Sequence, residues 1–197
     1  MKHKYDKKYY EEYAMLTLKY ILPDYANNFV HLDKPDLQNE IDGIGIEVTK
    51  ADHQYYFENI NYGRRYLGKK PTAEEINKFR GEFFLNENGY VYAFSPTKGM
   101  ITPSAVLTTN IKNAIIYKKA KLHSYKEFIK IGLYCFSELP VNEEDIISIL
   151  QIDYSPFNFL ILNVTDAIYL IQNQTYTCYN KSYEDIKQLK EQAFLNS

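Results

Sequence analysis

Two acids in the first quarter of the chain are placed where they could do chemistry. Asp36 directly follows a proline in Asp33-Lys34-Pro35-Asp36-Leu37-Gln38, and Glu47 sits inside the apolar run Gly43-Ile44-Gly45-Ile46-Glu47-Val48-Thr49-Lys50. A buried carboxylate is costly unless a cation or hydrogen-bond donors meet it. A divalent metal shared by the two acids would meet that need, because hard cations take oxygen ligands. Each acid alone has a plainer explanation. Asp and Pro are ordinary turn residues, and an edge strand would turn Glu47 to water.

The elements that must position these acids follow from periodicity. From Tyr5 to Leu22, apolar residues at Tyr10, Tyr13, Ala14, Thr17, Leu18 and Ile21 recur at helical spacing, and Pro23 stops the run. Glu11 borders that stripe and Glu12 falls nearly opposite. Asn28 to Leu32 and Asp36 to Gln38 read as two short strands broken at Pro35, followed by a turn from Asn39 to Gly43. Ile44 to Ala51 is the strongest strand. Alternation puts Ile44, Ile46 and Val48 on one face and Gly45, Glu47 and Thr49 on the other, so Glu47 is expected in a roomy, polar niche.

Residues 52–101 read as an insertion. It holds an aromatic-rich helix around Tyr55 to Tyr62, a basic loop from Gly63 to Lys70, a helix opened by a Thr72/Glu75 capping box, and a strand from Tyr90 to Phe94. Thr102-Pro103 then opens a long helix running to about Tyr125, with the proline in the tolerated first turn. Its stripe is Leu107, Ile111, Ala114, Ile115, Leu122 and Tyr125, and Lys118 falls near the stripe's centre. A lysine there needs an acid partner or a catalytic task. Lys119 and Lys121 lie at the margins, where their stems can snorkel to water.

Ile131 to Phe136, Phe159 to Val164 and Ala167 to Gln172 read as strands, the last two joined by Thr165-Asp166. A short helix spans Asn142 to Ile149, and an amphipathic segment runs from Tyr183 to Leu195. This order predicts an α/β fold, a mixed central β-sheet flanked by helices, in one domain over residues 1–197.

The chain resembles the PD-(D/E)XK, or restriction-endonuclease-like, phosphodiesterase superfamily. The resemblance rests on Pro35-Asp36, the Gly45-Ile46-Glu47-Val48-Thr49 strand, the helix before them and the Lys-rich helix that leads into a strand after them. It implies a restriction-endonuclease-like core carrying a helical insertion. It also implies a nuclease that hydrolyses DNA phosphodiester bonds, with Asp36 and Glu47 holding Mg²⁺ or Mn²⁺ and Glu11, or Glu12 in its place, completing the metal site. In such a site the metal neutralises the phosphate and activates water for in-line attack, and a lysine positions that water. The family's strand lysine falls at Thr49, so Lys118 is the candidate replacement, ahead of Lys121 and Lys50. Lys50 points to the opposite strand face unless a bulge intervenes.

Arg64, Arg65, Lys69, Lys70 and Lys121 are the candidate nucleic-acid contacts, although the loop residues also fit an ordinary solvated loop. The resemblance admits a homodimer. The competing expectation is a catalytically inactive member of the same fold that binds nucleic acid or protein.

Composition narrows these options. The 197 residues carry 23 Lys+Arg against 25 Asp+Glu, a net charge of −2, so no global field draws the chain to nucleic acid and any contact must be local. Cys135 and Cys178 lie far apart without a CxxC pair, which predicts reduced core thiols rather than a zinc site or disulfide framework. Gly43-Ile44-Gly45 lacks the third glycine of a dinucleotide fingerprint. His31, His53 and His123 have no ligand spacing. The charged start of the sequence, and a longest apolar run of only Phe157 to Val164, predict a cytoplasmic protein with no membrane span.

Overall fold

A computed structural model of the chain describes residues 6–51, 54–96, 103–139, 141–180 and 182–197. The expected helix start at Tyr5, His53 and the Thr102 that opens the long helix lie outside them.

In chain order the elements are α1 (Lys7–Ile21), β1 (Val30–His31), β2 (Leu37–Asn39), β3 (Ile44–Lys50), α2 (Gln54–Tyr66), α3 (Ala73–Lys78), β4 (Glu82–Leu85), β5 (Val91–Ser95), α4 (Pro103–Lys119), β6 (Lys130–Phe136), α5 (Glu143–Leu150), β7 (Phe159–Asn163), β8 (Ala167–Gln172), β9 (Thr175–Asn180) and α6 (Tyr183–Asn196). They fall into two compact units, residues 1–51 with 107–197 and residues 52–106.

In the first unit seven strands form one mixed sheet in the order β1-β2-β3-β6-β7-β8-β9. The pairs β1–β2 and β2–β3 are antiparallel, β3–β6 and β6–β7 parallel, and β7–β8 and β8–β9 antiparallel. Alternation along the strands divides the core in two. Ile44, Ile46, Val48, Tyr134 and Ile161 pack with Tyr13, Leu18 and Leu189 from α1 and α6. Leu133, Cys135, Leu160 and Leu162 pack on the other side with Leu107, Ile111 and Ile115 from α4 and Ile146 and Ile149 from α5. The expected mixed sheet with helices on its faces is thus present.

Local chemistry explains the boundaries. Asp6 caps α1 by accepting from the Tyr9 N–H, and Asn142 and Asp145 form a reciprocal capping box on α5. Gly43 closes the β2–β3 turn at φ +65°, a region that side-chain-bearing residues rarely adopt.

α4 stops at Lys119, short of the expected Tyr125. Past that point Lys121 N–H donates to the Lys118 carbonyl and Ser124 N–H to the Lys121 carbonyl, tightening the chain into a 3₁₀ turn. Ser124 Oγ also donates to the Lys121 carbonyl at 2.8 Å. Apolar periodicity continued through this turn with no Gly or Pro to mark it, which is why the helix was expected to run on.

The second unit contains α2, α3 and the β4–β5 hairpin, built around stacked Tyr62, Phe79 and Phe83. The Thr72/Glu75 capping box is present. α2 runs to Tyr66, so Gly63, Arg64 and Arg65 are helical rather than loop. Gly63 is required there because the Phe94 ring lies against it, where a Cβ would come within 2.3 Å. β4 and β9 were not foreseen. Among the described residues no helix is long and apolar enough to cross a membrane.

Candidate functional site

The β2–β3 register fixes the two acids. Leu37 pairs with Ile46 and Gln38 with Gly45, so the same antiparallel register carried one residue back sets Asp36 beside Glu47. Both side chains leave the sheet on the face opposite Ile46 and Val48. The Val48 N–H donates to Asp36 Oδ2 at 2.8 Å, tying the residue after Pro35 to the neighbouring strand. Asp36 is 1% and Glu47 4% exposed, so neither is a solvated edge acid.

The niche is not roomy at Gly45. Pro35 and the Phe128 ring fill the space a side chain would need, at 2.7 and 2.9 Å from an added Cβ. Glycine lets these groups close over the strand, and the polar character of the site comes from side chains arriving from α1 and α4.

Lys118 is 8% exposed on the buried stripe of α4. Its ammonium donates to Glu47 Oε1 and to the Val48 carbonyl, the latter at 3.1 Å. Two of its three N–H donors are thus engaged, which leaves a third. From α1, Lys7 Nζ lies 2.8 Å from Asp36 Oδ1 and 3.0 Å from Glu11 Oε1. Tyr125, brought back by the 3₁₀ turn, faces Glu47. These residues line one cleft of about 540 Å³, together with Asp33, Lys34, Tyr117 and Lys121.

Electrostatics in the cleft are strained. Burial is the main cause holding the Glu47 carboxyl above the usual carboxylate range; the Asp36 charge adds to it, and Lys118 and Tyr125 pull the other way. Glu11 is also raised, by burial first, with Lys7 opposing and Asp36 reinforcing. Burial raises the Tyr125 phenol, and the Glu47 charge raises it further. Lys121 donates to the Tyr117 hydroxyl at 2.5 Å, lies 4.0 Å from that ring's centre, and pulls the phenol below its ordinary range.

The structure therefore brings together Asp36, Glu47, Lys118 and Glu11 in one cleft, with Lys121 at its wall. Glu12 lies elsewhere, 3.3 Å from His31 Nε2. Lys50 lines the cleft but reaches toward Glu138 at 3.8 Å and over the Tyr10 ring at 4.8 Å. Arg64, Arg65, Lys69 and Lys70 are exposed residues of the second unit. Cys135 is buried as expected, whereas Cys178 lies exposed on β9, because that strand forms the edge of the sheet and not its core.

Lys7 and Tyr125 were not foreseen as parts of the cleft. Lys7 stands one helical turn before Glu11, a spacing that places both on one side of α1. Tyr125 had been read as part of an apolar stripe.

The donor set here is oxygen throughout: the carboxylates of Glu11, Asp36 and Glu47 and the Val48 carbonyl. Such a set suits a hard divalent cation such as Mg²⁺ or Mn²⁺, and a cation there would offset the burial that chiefly raises Glu11 and Glu47 and the Asp36 charge that adds to it. Among the described residues no three His, Cys, Asp or Glu side chains are gathered as a ready-made metal cluster. Lys7 and Lys118 hold carboxylate oxygens instead. No family model, curated protein or solved structure matches the chain.

Proposed function

We propose that the cleft is the active site of a metal-dependent nuclease that hydrolyses DNA phosphodiester bonds, on a restriction-endonuclease-like core. The observation that carries this reading is the convergence of Asp36 and Glu47 on one sheet face, with Lys118 delivered to Glu47 from α4. Supporting it is the element order, in which α1 precedes the acid-bearing strands and α4 leads into β6, parallel to β3.

Asp36 and Glu47 would hold the metal, with Glu11 completing its shell. The bound ion supplies charge neutralisation at the phosphate and a water made more acidic for attack. The protein's own residues do the rest. The Val48 N–H fixes which Asp36 oxygen faces the cleft, since Oδ2 is engaged and Oδ1 points outward to Lys7. Lys118 favours the ionised form of Glu47 against its burial, and its remaining N–H would orient a nucleophilic water and stabilise negative charge on the phosphate. Lys121 with Tyr117 offers a cation and a ring face to the substrate at the wall. The basic side chains of the second unit are further candidates for backbone contact.

Two observations favour the alternative, a non-catalytic module that binds nucleic acid or protein. Asp36 Oδ1 already pairs with a lysine of the same chain, and Thr49 stands at the strand position of the family lysine. Incubating the purified protein with supercoiled plasmid, with and without Mg²⁺, separates the two readings. Nicking that depends on Mg²⁺ supports the nuclease, and binding without nicking supports the module.

A further inference from the structure

Lys7 occupies an unusual place. It is the first residue of α1, where the helix dipole disfavours a cation, and the first turn holds no acid of its own. Its side chain is 67% exposed, yet its ammonium bridges Asp36 Oδ1 and Glu11 Oε1 at 2.8 and 3.0 Å. Asp36 Oδ2 already accepts from the Val48 N–H, so Oδ1, the oxygen that Lys7 faces, is the one better placed to take a metal.

We infer that Lys7 is a built-in competitor for the metal site: it pairs Asp36 with Glu11 while the cleft is empty of metal and must swing out before a divalent ion can bind. This rests on the reading of Asp36, Glu47 and Glu11 as metal ligands. The direct ion pairs are Lys7 with Asp36 and Glu11, and Lys118 with Glu47, in a cleft also lined by Asp6, Asp33, Lys34, Lys50 and Lys121. Displacing Lys7 leaves Asp36 and Glu11 without their shared cation, two carboxylates whose charge a divalent ion would match. Lys118 is not the displaced group, because it is buried and also bonded to the Val48 carbonyl, whereas Lys7 holds only carboxylates and has a solvent-facing stem. The exchange sets the metal affinity below what the three acids alone would give.

The test is Mn²⁺ binding to the metal-free protein by titration calorimetry, with thermal melts recorded in parallel and no substrate present. Lys7→Gln removes the competing charge and should bind Mn²⁺ roughly two- to fivefold tighter, the size expected for losing one partly exposed ion pair. Lys7→Arg keeps the charge and should stay near the wild-type affinity. Without metal, Lys7→Gln should melt lower than wild type, and that loss should vanish in an Asp36→Asn background, which shows that the bridge exists in solution. Equal or weaker Mn²⁺ binding by Lys7→Gln, with wild type binding normally, overturns the competitor role and leaves the nuclease reading standing. If neither protein binds Mn²⁺ while the melting difference persists, the metal reading itself falls, and Lys7 is then a structural ion pair only.

Discussion

Removing the Lys118 ammonium tests how far Glu47 depends on it. Lys118→Met keeps most of the stem volume, so packing on α4 is largely conserved, but it deletes two hydrogen bonds from a charged donor, to Glu47 and to the Val48 carbonyl. Breaking one side of a buried ion pair costs about 3–5 kcal/mol. Glu47 borders an open cleft from which water can enter, so the low end applies, about 3 kcal/mol. For a protein of this size that is a fall of roughly 6–12 °C in Tm.

The loss should depend on pH. The folded-state pKa of Glu47 is raised, so its protonated form favours folding below the unfolded value of 4.5, and that advantage is lost as pH rises through the folded pKa. Deleting Lys118 removes a downward influence and raises the folded pKa further. The deficit of Lys118→Met should therefore be small at pH 4.5 and below, and grow as pH rises through the raised folded-state pKa. Adding Glu47→Gln should recover most of the loss at neutral pH. Urea melts of the two single variants and the double variant across this range provide the measurement. A flat deficit, or no recovery in the double variant, would refute the buried pair.

Three further outcomes follow from the packing. Asn163 Nδ2 donates to Tyr134 Oη at 2.7 Å, and that hydroxyl shares a 2.5 Å hydrogen bond with Thr17, whose own hydroxyl donates to the Ala14 carbonyl. Tyr134→Phe should therefore cost about 1–3 kcal/mol by chemical denaturation, because it removes two buried hydrogen bonds that link α1 to the sheet. Gly45→Ala should cost about 1–3 kcal/mol by forcing back Pro35 and Phe128; a neutral result would show that the turn before Asp36 can yield. Glu12→Gln should leave metal binding unchanged in calorimetry, since that side chain pairs with His31 outside the cleft, whereas Glu11→Gln should weaken it.

Much of this was legible because strand alternation is strict. Once Ile46 and Val48 were assigned to the core, Glu47 had to face the other way, and the spacing of the α4 stripe put Lys118 toward the sheet. Less legible was whatever depends on the chain reversing. The 3₁₀ turn after Lys119 has no breaker residue, so Tyr125 could not be traced back to the cleft. β9 is polar and mostly exposed as an edge strand, so it carries none of the alternation that marks a half-buried one. The crowding at Gly45 comes from Pro35 and from Phe128, a residue 83 positions away in the chain. Lys118 also proved nearly buried, so its loss is expected to cost stability.

The central claim, that Asp36 and Glu47 jointly hold a catalytic metal, is tested most directly by Mg²⁺-dependent nicking of supercoiled plasmid by wild type, Asp36→Asn and Glu47→Gln, each confirmed folded by circular dichroism. Each substitution deletes a metal ligand with little change in volume. The expected result is nicking by wild type that stops in EDTA, and loss of roughly 10²-fold or more of the rate in both variants. Unchanged nicking by either folded variant, or nicking by wild type that persists in EDTA, would contradict it.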